Sequence, residues 1–469
     1  MSTPIAPAHG SAAELRDDPP RLRVKSVRML LALGAVLATG CSDDVGTGGY
    51  GGAGGGHGGA GGGELGGAGG NAAPAFRLAL SIDPFTETLF ESGASFSDGA
   101  TTAASLRDLQ SMYLAHGATE VFTRVSTEKA PSGSADDHSE QAALARASLA
   151  RDLGLPLNPE LTLSAHYGDI TCQPPPDFSD YPEIVLPGPW GSLTLEEMAA
   201  ALSQYGALVA ADLLATGVTV EVWDLGNEVD LGTAGVAPEG VSCSTPWVAP
   251  DGVDSIIGTE SLASLFAMSE ADRIAWLSTH VWPAEARLLA AVAEGIRSVA
   301  PDARFSTHLS QSGSAPFAVA FYQAMFDGGF EPDQLGFSLY PTAHTESDRV
   351  AQFKETVDAV QTAFGRPVFI AEVGYPAGPT TGPFSTWTHE IPNYPMNEAG
   401  QAAFLRDLTS WLAASGAAGL RPWAPSLFAP GWEGFALFAA EGQLPVRARE
   451  GLTAASEGLA SPSTEAFHD

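Results

Sequence analysis

Residues 74–469 are predicted to form a single (β/α)8 barrel, the TIM-barrel architecture, with enlarged loops after its strands. Short aliphatic or β-branched runs alternate with longer helical patterns along this segment, which is typical of parallel βα units. The first predicted strand is followed by Asp83-Pro84-Phe85 and not by a glycine-rich turn, which disfavours a doubly wound nucleotide-binding sheet. Since no internal sequence repeat or second domain is evident, one barrel with long insertions fits the length best.

Eight strands are predicted, and the last is the weakest because two prolines interrupt it. In order, they cover residues 78–82, 120–125, 161–166, 218–225, 304–309, 334–339, 368–371 and 422–428. Helical periodicity is clearest in two apolar series, Leu195, Met198, Leu202, Tyr205, Val209 and Leu213, then Leu288, Leu289, Val292, Ile296 and Val299. Both series are expected to pack on the sheet. The largest insertion, 230–281, follows the fourth strand and is therefore expected on the face of the barrel that carries active sites.

The segment before the barrel is expected to direct export and anchoring. Four basic residues within 21–28 precede an apolar run over 29–39, which is much shorter than the roughly 20 residues of a membrane-spanning helix. This pattern predicts a signal segment over residues 1–41. Because the residues before Cys41 resemble a bacterial lipobox, Cys41 is the expected lipidation site, and an ordinary signal peptide with an incidental cysteine is the alternative. Residues 42–73 are mostly glycine and alanine, a composition that predicts a flexible linker.

The charge of the chain restricts its partners. Lys+Arg number 22 and Asp+Glu number 55, giving a formal net charge of -33. Such a surface repels phosphate backbones and anionic lipid, which argues against nucleic-acid binding. We expect a monomer that meets a membrane only through the lipid anchor, at a bacterial membrane or cell surface, and that is otherwise secreted.

Two glutamates occupy the positions where a barrel carries catalytic groups, at the carboxyl ends of strands. Glu228 follows the fourth predicted strand in Gly226-Asn227-Glu228, and Glu372 follows the seventh. Either alone would usually be a solvated loop residue, whereas both together suit a retaining glycosidase, whose two carboxyl groups stand about 5 to 5.5 Å apart. Asn227, beside the acid, is expected to donate to a sugar 2-hydroxyl.

The sequence resembles glycoside hydrolase family 53, the arabinogalactan endo-β-1,4-galactanases. The matching segments follow one another in the family's order between residues 78 and 458, at 164–169 (SAHYGD), 225–228 (LGNE), 307–309 (THL), 336–341 (GFSLYP), 371–376 (AEVGYP) and 431–438 (GWEGFALF). The resemblance implies a retaining endo-acting hydrolase of β-1,4-galactosidic bonds in (arabino)galactan. It assigns Glu228 as acid/base and Glu372 as nucleophile.

Secondary roles are also implied. Arg124 and Tyr340 match family positions that keep the nucleophile ionised, since an arginine beside a carboxylate lowers its pKa; a structural ion pair and a buried tyrosine are the alternatives. His166 and His308 are expected either to bond the substrate or the carboxylates or to be satisfied barrel histidines.

Two further residues complete the predicted substrate site. Asp169 is interpreted as a subsite residue or a cap of a helix. Trp432 is interpreted as a platform for a sugar face or as a ring packed against the barrel mouth.

The loops depart from the family pattern in three places. Residues 170–174 (ITCQP) replace Trp-Ala-Asp-Pro, residues 342–344 (TAH) replace Tyr-Trp-His, and no tryptophan follows Tyr375-Pro376. Because these positions shape sugar subsites, another retaining β-glycanase specificity is the main alternative. A non-catalytic glycan-binding lipoprotein is disfavoured because both glutamates are kept.

The sequence does not call for a metal or another cofactor. A metal hydrolase is disfavoured because the histidines lack paired ligand spacing such as His-x-x-x-His. A structural calcium in an acidic loop stays an open alternative that the sequence does not indicate.

Cys172 and Cys243 are expected to form a disulfide. If Cys41 carries lipid, these two cysteines are the ones left in an exported chain, where oxidation is permitted. They belong to the loops after the third and fourth predicted strands, on the same face of the barrel. Two unrelated cysteines are the alternative.

Overall fold

The computed structural model describes residues 76–468, apart from 135, 239–260, 346–347, 430, 440–441 and 443. Its strands within these residues are β1 (Arg77–Leu78), β2 (Phe96–Ser97), β3 (Thr102–Ala103), β4 (Val121–Val125), β5 (Leu157–Leu161), β6 (Trp223–Leu225), β7 (Phe305–Leu309), β8 (Gln334–Leu339), β9 (Val368–Val373), β10 (Gly419–Pro422), β11 (Phe438–Ala439) and β12 (Val446–Ala448). Its helices are α1 (Thr86–Glu91), α2 (Leu106–Ala115), α3 (Glu140–Leu153), α4 (Leu195–Ala215), α5 (Leu262–Ala267), α6 (Glu270–His280), α7 (Trp282–Val299), α8 (Ala315–Asp327), α9 (Arg349–Phe364), α10 (Glu398–Ala414) and α11 (Gly451–Leu459).

Eight parallel strands form the central sheet, in the order β1-β10-β9-β8-β7-β6-β5-β4. The two edge strands, β1 and β4, also meet. The backbone N–H of Thr119 donates to the carbonyl of Leu78 at 3.0 Å, and the N–H of Phe122 donates to the Ser81 hydroxyl at 2.9 Å. The predicted (β/α)8 barrel is confirmed.

A second, four-stranded sheet in the order β11-β12-β2-β3 was not anticipated from the sequence. Its two halves belong to the connections that follow the first and the last barrel strands. Because both are βα connections, this sheet lies toward the face where the carboxyl ends of the barrel strands emerge.

Two predicted strands were wrong in position. The third runs over Leu157–Leu161 and not 161–166, and the eighth runs over Gly419–Pro422 and not 422–428. Both contain polar side chains that are fully buried inside the barrel, with Glu160 0% and Arg421 1% exposed. A buried charged side chain interrupts the apolar run by which an interior strand is normally recognised, so the apolar pattern pointed to the neighbouring residues.

The two predicted apolar series lie on α4 and α7, which pack closely against each other. A Cβ at Gly295 of α7 would collide with the carbonyl oxygen of Ser203 in α4, so the contact requires glycine there. By length and composition, α4 is the one helix of the described residues that could cross a membrane, with a mean hydropathy of 1.4. Half of that stretch is buried in the barrel, which is the environment expected for a core helix.

The insertion over 230–281 contributes α5 and α6. The remaining part of it, with Cys243, lies outside the described residues, as do the signal segment with Cys41 and the linker.

Candidate active site

Glu372 ends the seventh barrel strand, within β9, and its carboxylate is held by two donors. Arg124 of β4 donates from Nη2 to Oε1 at 2.7 Å, and Tyr340 donates from its hydroxyl to Oε2 at 2.7 Å. The residue is 6% exposed. Burial raises the pKa of Glu372, whereas the Arg124 charge and both donated hydrogen bonds act in the opposite direction.

Glu228 lies in a tight loop after β6 and has an unusual backbone conformation. Its φ is +48°, in the left-handed region, a conformation that costs a non-glycine residue of the order of 1 kcal/mol or more. The loop is fixed by its neighbours, because the Glu228 N–H donates to His308 Nε2 at 3.3 Å and the Gly226 N–H donates to the Leu161 carbonyl at 2.7 Å.

The two carboxyl groups differ in the charges that surround them. Burial, followed by the nearby charge of Glu372, holds the pKa of Glu228 well above its ordinary value. Of the two, Glu372 is the one whose oxygens bind a guanidinium. A proton shared between them is therefore expected on Glu228, which leaves the negative charge on Glu372.

Asn227 connects Arg124 to the loop after β6 and to the loop after β5. Nη2 of Arg124 also donates to Asn227 Oδ1 at 2.8 Å, and Asn227 Nδ2 donates to the Gly168 carbonyl at 2.7 Å. Asn227 is 1% exposed, so this amide positions Arg124 and the loop after β5. The expected donation to a sugar 2-hydroxyl would use the second hydrogen on Nδ2 and stays a prediction.

His308 supports the Glu228 loop from β7. Burial lowers the pKa of His308 to about 3, so the ring is neutral and Nε2 accepts the backbone N–H of Glu228. His308 therefore makes a positioning contact to the acid-bearing loop through Nε2, whereas its buried Nδ1 has no hydrogen-bond partner among the described residues, so the ring is not the fully satisfied barrel histidine of the alternative interpretation.

The sequence profile of glycosyl hydrolase family 53 matches residues 107–444, well over half of the chain. The chain belongs to glycosyl hydrolase family 53. The family resemblance drawn from the sequence motifs is therefore confirmed.

Relatives of this family 53 chain are distant. It is 23% identical over 270 residues to a probable arabinogalactan endo-β-1,4-galactanase A of Aspergillus flavus, an alignment that covers 56% of this chain and 64% of the relative. The protein of the same name from Aspergillus oryzae gives the same values. The chain thus spans a little less than two thirds of the length of these curated relatives.

Solved structures share the fold. The family 53 catalytic domain of Ignisphaera aggregans has a TM-score of 0.60 and 18% identity, with 83% of this chain and 98% of that one covered. A fungal β-1,4-galactanase has a TM-score of 0.58 and 17% identity, with 82% and 99% covered. At these identities the likeness concerns the barrel itself.

In the family 53 barrel described here, His166 belongs to a separate cluster. Its Nδ1 contacts Glu128 Oε2 at 2.8 Å, its Nε2 lies 3.6 Å from Asp136 Oδ1, and its ring stacks on His138 at 5.2 Å between centroids. The bond with Asp136 and then that with Glu128 raise the pKa of His166 to about 9, against the effect of burial. His166 thus bonds carboxylates other than the candidate catalytic pair.

Asp169 and Trp432 are both engaged by the protein itself. Asp169 is 4% exposed, and its Oδ1 accepts from the N–H and the hydroxyl of Thr171, both at 2.7 Å, so it caps a turn and not a helix. Trp432 is 4% exposed and packs against Phe384 and Phe435. The structure therefore corrects the sugar-platform interpretation of Trp432 in favour of packing at the barrel mouth, because a stacked sugar needs an open ring face.

Sequence reasoning missed several residues that surround the pair. Trp423, directly after β10, lies 4.2 Å under the guanidinium of Arg124, and the ring of Tyr167 lies 5.6 Å from it. Glu160 and Arg421 lie deeper in the barrel and bind each other at 2.7 Å. The position of Trp423 directly after the eighth strand could have indicated that it belongs to the site. The sequence analysis placed that strand three residues too late, so Trp423 fell inside the predicted strand.

Metal binding has no support in the part of the chain that the structure describes, where no group of three His, Cys, Asp or Glu side chains is arranged to hold an ion.

Cys172 is disulfide-bonded, while Cys243 lies outside the described residues, so their pairing stays a prediction. The loop of Cys172 also contacts the acid-bearing loop, because Gln173 Nε2 donates to the carbonyl of Asn227 at 2.9 Å.

We expect Cys172→Ser to destabilise the oxidised protein by about 4 kcal/mol, as the bridge closes a long loop in the unfolded chain. The free energy of unfolding, measured in denaturant with and without reductant, checks this: the wild-type should lose stability on reduction and the variant should not. Two titratable thiols in the unreduced, unfolded wild-type would contradict the predicted pairing.

Proposed function

We propose that this chain is a retaining, endo-acting glycoside hydrolase of β-1,4-galactosidic bonds in (arabino)galactan, with Glu228 as acid/base and Glu372 as nucleophile. The observation that carries the proposal is that the two carboxyl groups have different hydrogen-bond partners and neighbouring charges. Arg124 and Tyr340 donate to Glu372, whereas burial and the charge of Glu372 favour a proton on Glu228.

The reaction proceeds in two steps with this pair. A carboxylate oxygen of Glu372 attacks the anomeric carbon while Glu228 transfers its proton to the departing glycosidic oxygen, giving a covalent glycosyl ester and a shortened chain. Glu228, now a carboxylate, then takes a proton from water, whose oxygen displaces Glu372 from the anomeric carbon. Two inversions leave the β-configuration unchanged, and both carboxyl groups return to their starting states.

Arg124 and Tyr340 serve the first step by holding the attacking carboxylate in one orientation. Their donated hydrogen bonds stabilise the ionised form of Glu372 in a site where burial alone would favour its protonation. Each carboxylate oxygen of Glu372 accepts one hydrogen bond from these residues. Since each oxygen has two lone pairs, each keeps a second lone pair with which it could attack the anomeric carbon.

The galactan specificity rests on the family and on the names of its relatives. The loop departures at 170–174 and 342–344 favour a second candidate, another retaining β-glycanase specificity on the same pair. Reducing-sugar release measured on galactan, mannan, xylan and β-glucan distinguishes the two. We expect release from galactan as a mixture of oligosaccharides, the pattern of endo-cleavage.

Other outcomes of that experiment overturn parts of the proposal. Release from a different polysaccharide alone supports the second specificity. Binding to a glycan without any release would support a non-catalytic surface protein. The anomer formed first, followed by NMR, tests retention separately, because an α-product would mean inversion.

We also propose that the barrel is exported and lipid-anchored through Cys41, with residues 42–73 as the tether. A glycine-rich coil of this length has an r.m.s. span of roughly 30 Å, enough to hold the cleft away from a membrane surface. We expect wild-type protein in the membrane fraction and Cys41→Ser protein in the soluble fraction. Cys243→Ser is the matched control, which should keep the wild-type distribution. A mature N-terminus beyond residue 41 would reject the anchor.

A further inference from the structure

Glu160 lies inside the barrel, one arginine away from the candidate nucleophile. It is in β5, in register with Arg124 of β4 and Asp224 of β6, and it is 0% exposed. Each of its oxygens accepts from a different arginine, Oε1 from Arg124 Nε at 2.5 Å and Oε2 from Arg421 Nη2 at 2.7 Å. A buried carboxylate with both oxygens paired in this way is strongly oriented.

This contact keeps the Nε side of Arg124 away from Glu372, while Nη1 has no hydrogen-bond partner among the described residues. The Nε and Nη2 edge of an arginine can bind a carboxylate through two parallel hydrogen bonds. Here Glu160 takes the Nε donor, and Nη2 is shared between Asn227 and Glu372. Arg124 therefore contacts Glu372 through a single nitrogen, which leaves the carboxylate less neutralised than a bidentate pair would.

Arg421 fixes Glu160 from the opposite side. Besides its bond to Glu160, it donates from Nη1 to Asn158 Oδ1 at 2.9 Å and to Asp224 Oδ2 at 3.1 Å, and from Nε to the Ala371 carbonyl at 2.6 Å. The guanidinium also stacks on the Phe122 ring at 3.8 Å. With its donors committed, Arg421 holds Glu160 in place and does not compete for Glu372.

The charges of four buried side chains, Arg124, Arg421, Glu160 and Glu372, balance when Glu372 is ionised. Two guanidiniums, Arg124 and Arg421, face the carboxylates of Glu160 and Glu372. Burial raises the pKa of Asp224 to about 6, and Ser306 donates its hydroxyl to it. Asp224 thus loses its charge at a higher pH than an exposed aspartate would, and it does so without a contact to Arg124 or Glu372.

We propose that Glu160 is a positioning residue for the reaction: it binds Nε of Arg124, restricts that arginine to a one-nitrogen contact with Glu372, and so keeps the nucleophile more basic and more reactive than a two-nitrogen contact would. This inference rests on the proposed function, since it assigns Glu160 a part in the same reaction. It makes the interior pair of Glu160 and Arg421 part of the catalytic design and not only of barrel stability.

Glu160→Gln tests the proposal through its pH profile. The titratable and charged groups that face Glu372 are Arg124 from β4, Tyr167 after β5, Tyr340 after β8, Glu228 after β6 and Glu160 itself from β5. The Glu160 charge raises the pKa of Glu372, so its removal lowers that pKa and moves the acid limb of kcat/KM to lower pH. We expect a shift of about one pH unit and a kcat about tenfold lower with KM unchanged.

Asp224→Asn is the matched control. It removes a carboxylate from the same buried group and from Arg421, but it does not contact Arg124. We expect lower stability with an unchanged acid limb, which is the behaviour of a merely structural residue. If Glu160→Gln fails to fold because Arg421 loses its counter-charge, the double variant Glu160→Gln with Arg421→Gln removes both charges and should show the same shift of the acid limb.

A crystal structure of Glu160→Gln separates this inference from the proposed function. We expect Arg124 to turn away from Asn227 and bind Glu372 through two nitrogens. An Arg124 that keeps its single contact, or an acid limb that coincides with that of the wild-type, overturns the inference. A wild-type protein without hydrolytic activity overturns the proposed function, while the orientation of Arg124 in the variant still decides the positioning role.

Discussion

Glu372→Gln should abolish turnover of every substrate, polysaccharide and aryl glycoside alike. The amide cannot form the glycosyl ester, so the first step has no attacking group, and a loss of roughly four orders of magnitude or more in kcat is expected for a member of the catalytic pair. The variant keeps the size of the side chain and the contact with Tyr340 and Arg124. Steady-state rates on galactan and on a nitrophenyl β-galactoside measure the effect.

Glu221→Gln is the control for this substitution. Glu221 precedes β6 and is exposed, so its amide should leave kcat, KM and the melting temperature unchanged. Residual activity of Glu372→Gln within tenfold of the wild-type would remove Glu372 from the nucleophile role. A variant that is inactive and also unfolded would call for Glu372→Asp, which keeps the charge beside Arg124 and should fold but remain slow because the carboxylate is retracted.

Glu228→Gln should distinguish between substrates. Galactan has a poor leaving group that needs a proton from the acid, so kcat on galactan should fall by about 10²- to 10⁴-fold. An aryl glycoside with an acidic phenol leaves without that proton, so its first step should be nearly unaffected. The measurement is a burst of released phenol, followed by slow hydrolysis of the ester because water has lost its general base.

The pH profile of Glu228→Gln provides a second readout. The raised pKa of Glu228 keeps this carboxyl protonated as the pH rises, and its final deprotonation should set the basic limb of kcat/KM in the wild-type. In the variant that limb should disappear on aryl glycosides, while the acid limb set by Glu372 should remain. Equal losses on galactan and aryl glycosides, with both limbs intact, would reject the acid/base role.

The site residues that the sequence predicted are those that stand at the end of a recognisable strand or within a short family motif. A parallel strand followed by a turn gives a fixed place for each strand end, so the order of residues alone assigns Glu228 and Glu372 to one face of a barrel. The family motifs added Arg124 and Tyr340, and the structure brings both within 2.7 Å of Glu372. The eight-strand barrel followed from the same alternation of apolar runs and helical patterns.

The tertiary structure alone decided what each side chain binds. Trp432 became a packed ring and not a platform because Phe435 stacks on it and Phe384, 48 residues before it in the chain, packs against it in an edge-to-face contact. Two strands were misplaced because Glu160 and Arg421 stand 261 residues apart in sequence, so the charge of either one looks unpaired until the barrel closes. The free energy of burying a charge depends on a partner across the barrel, and the apolar period of a single strand carries no information about that partner.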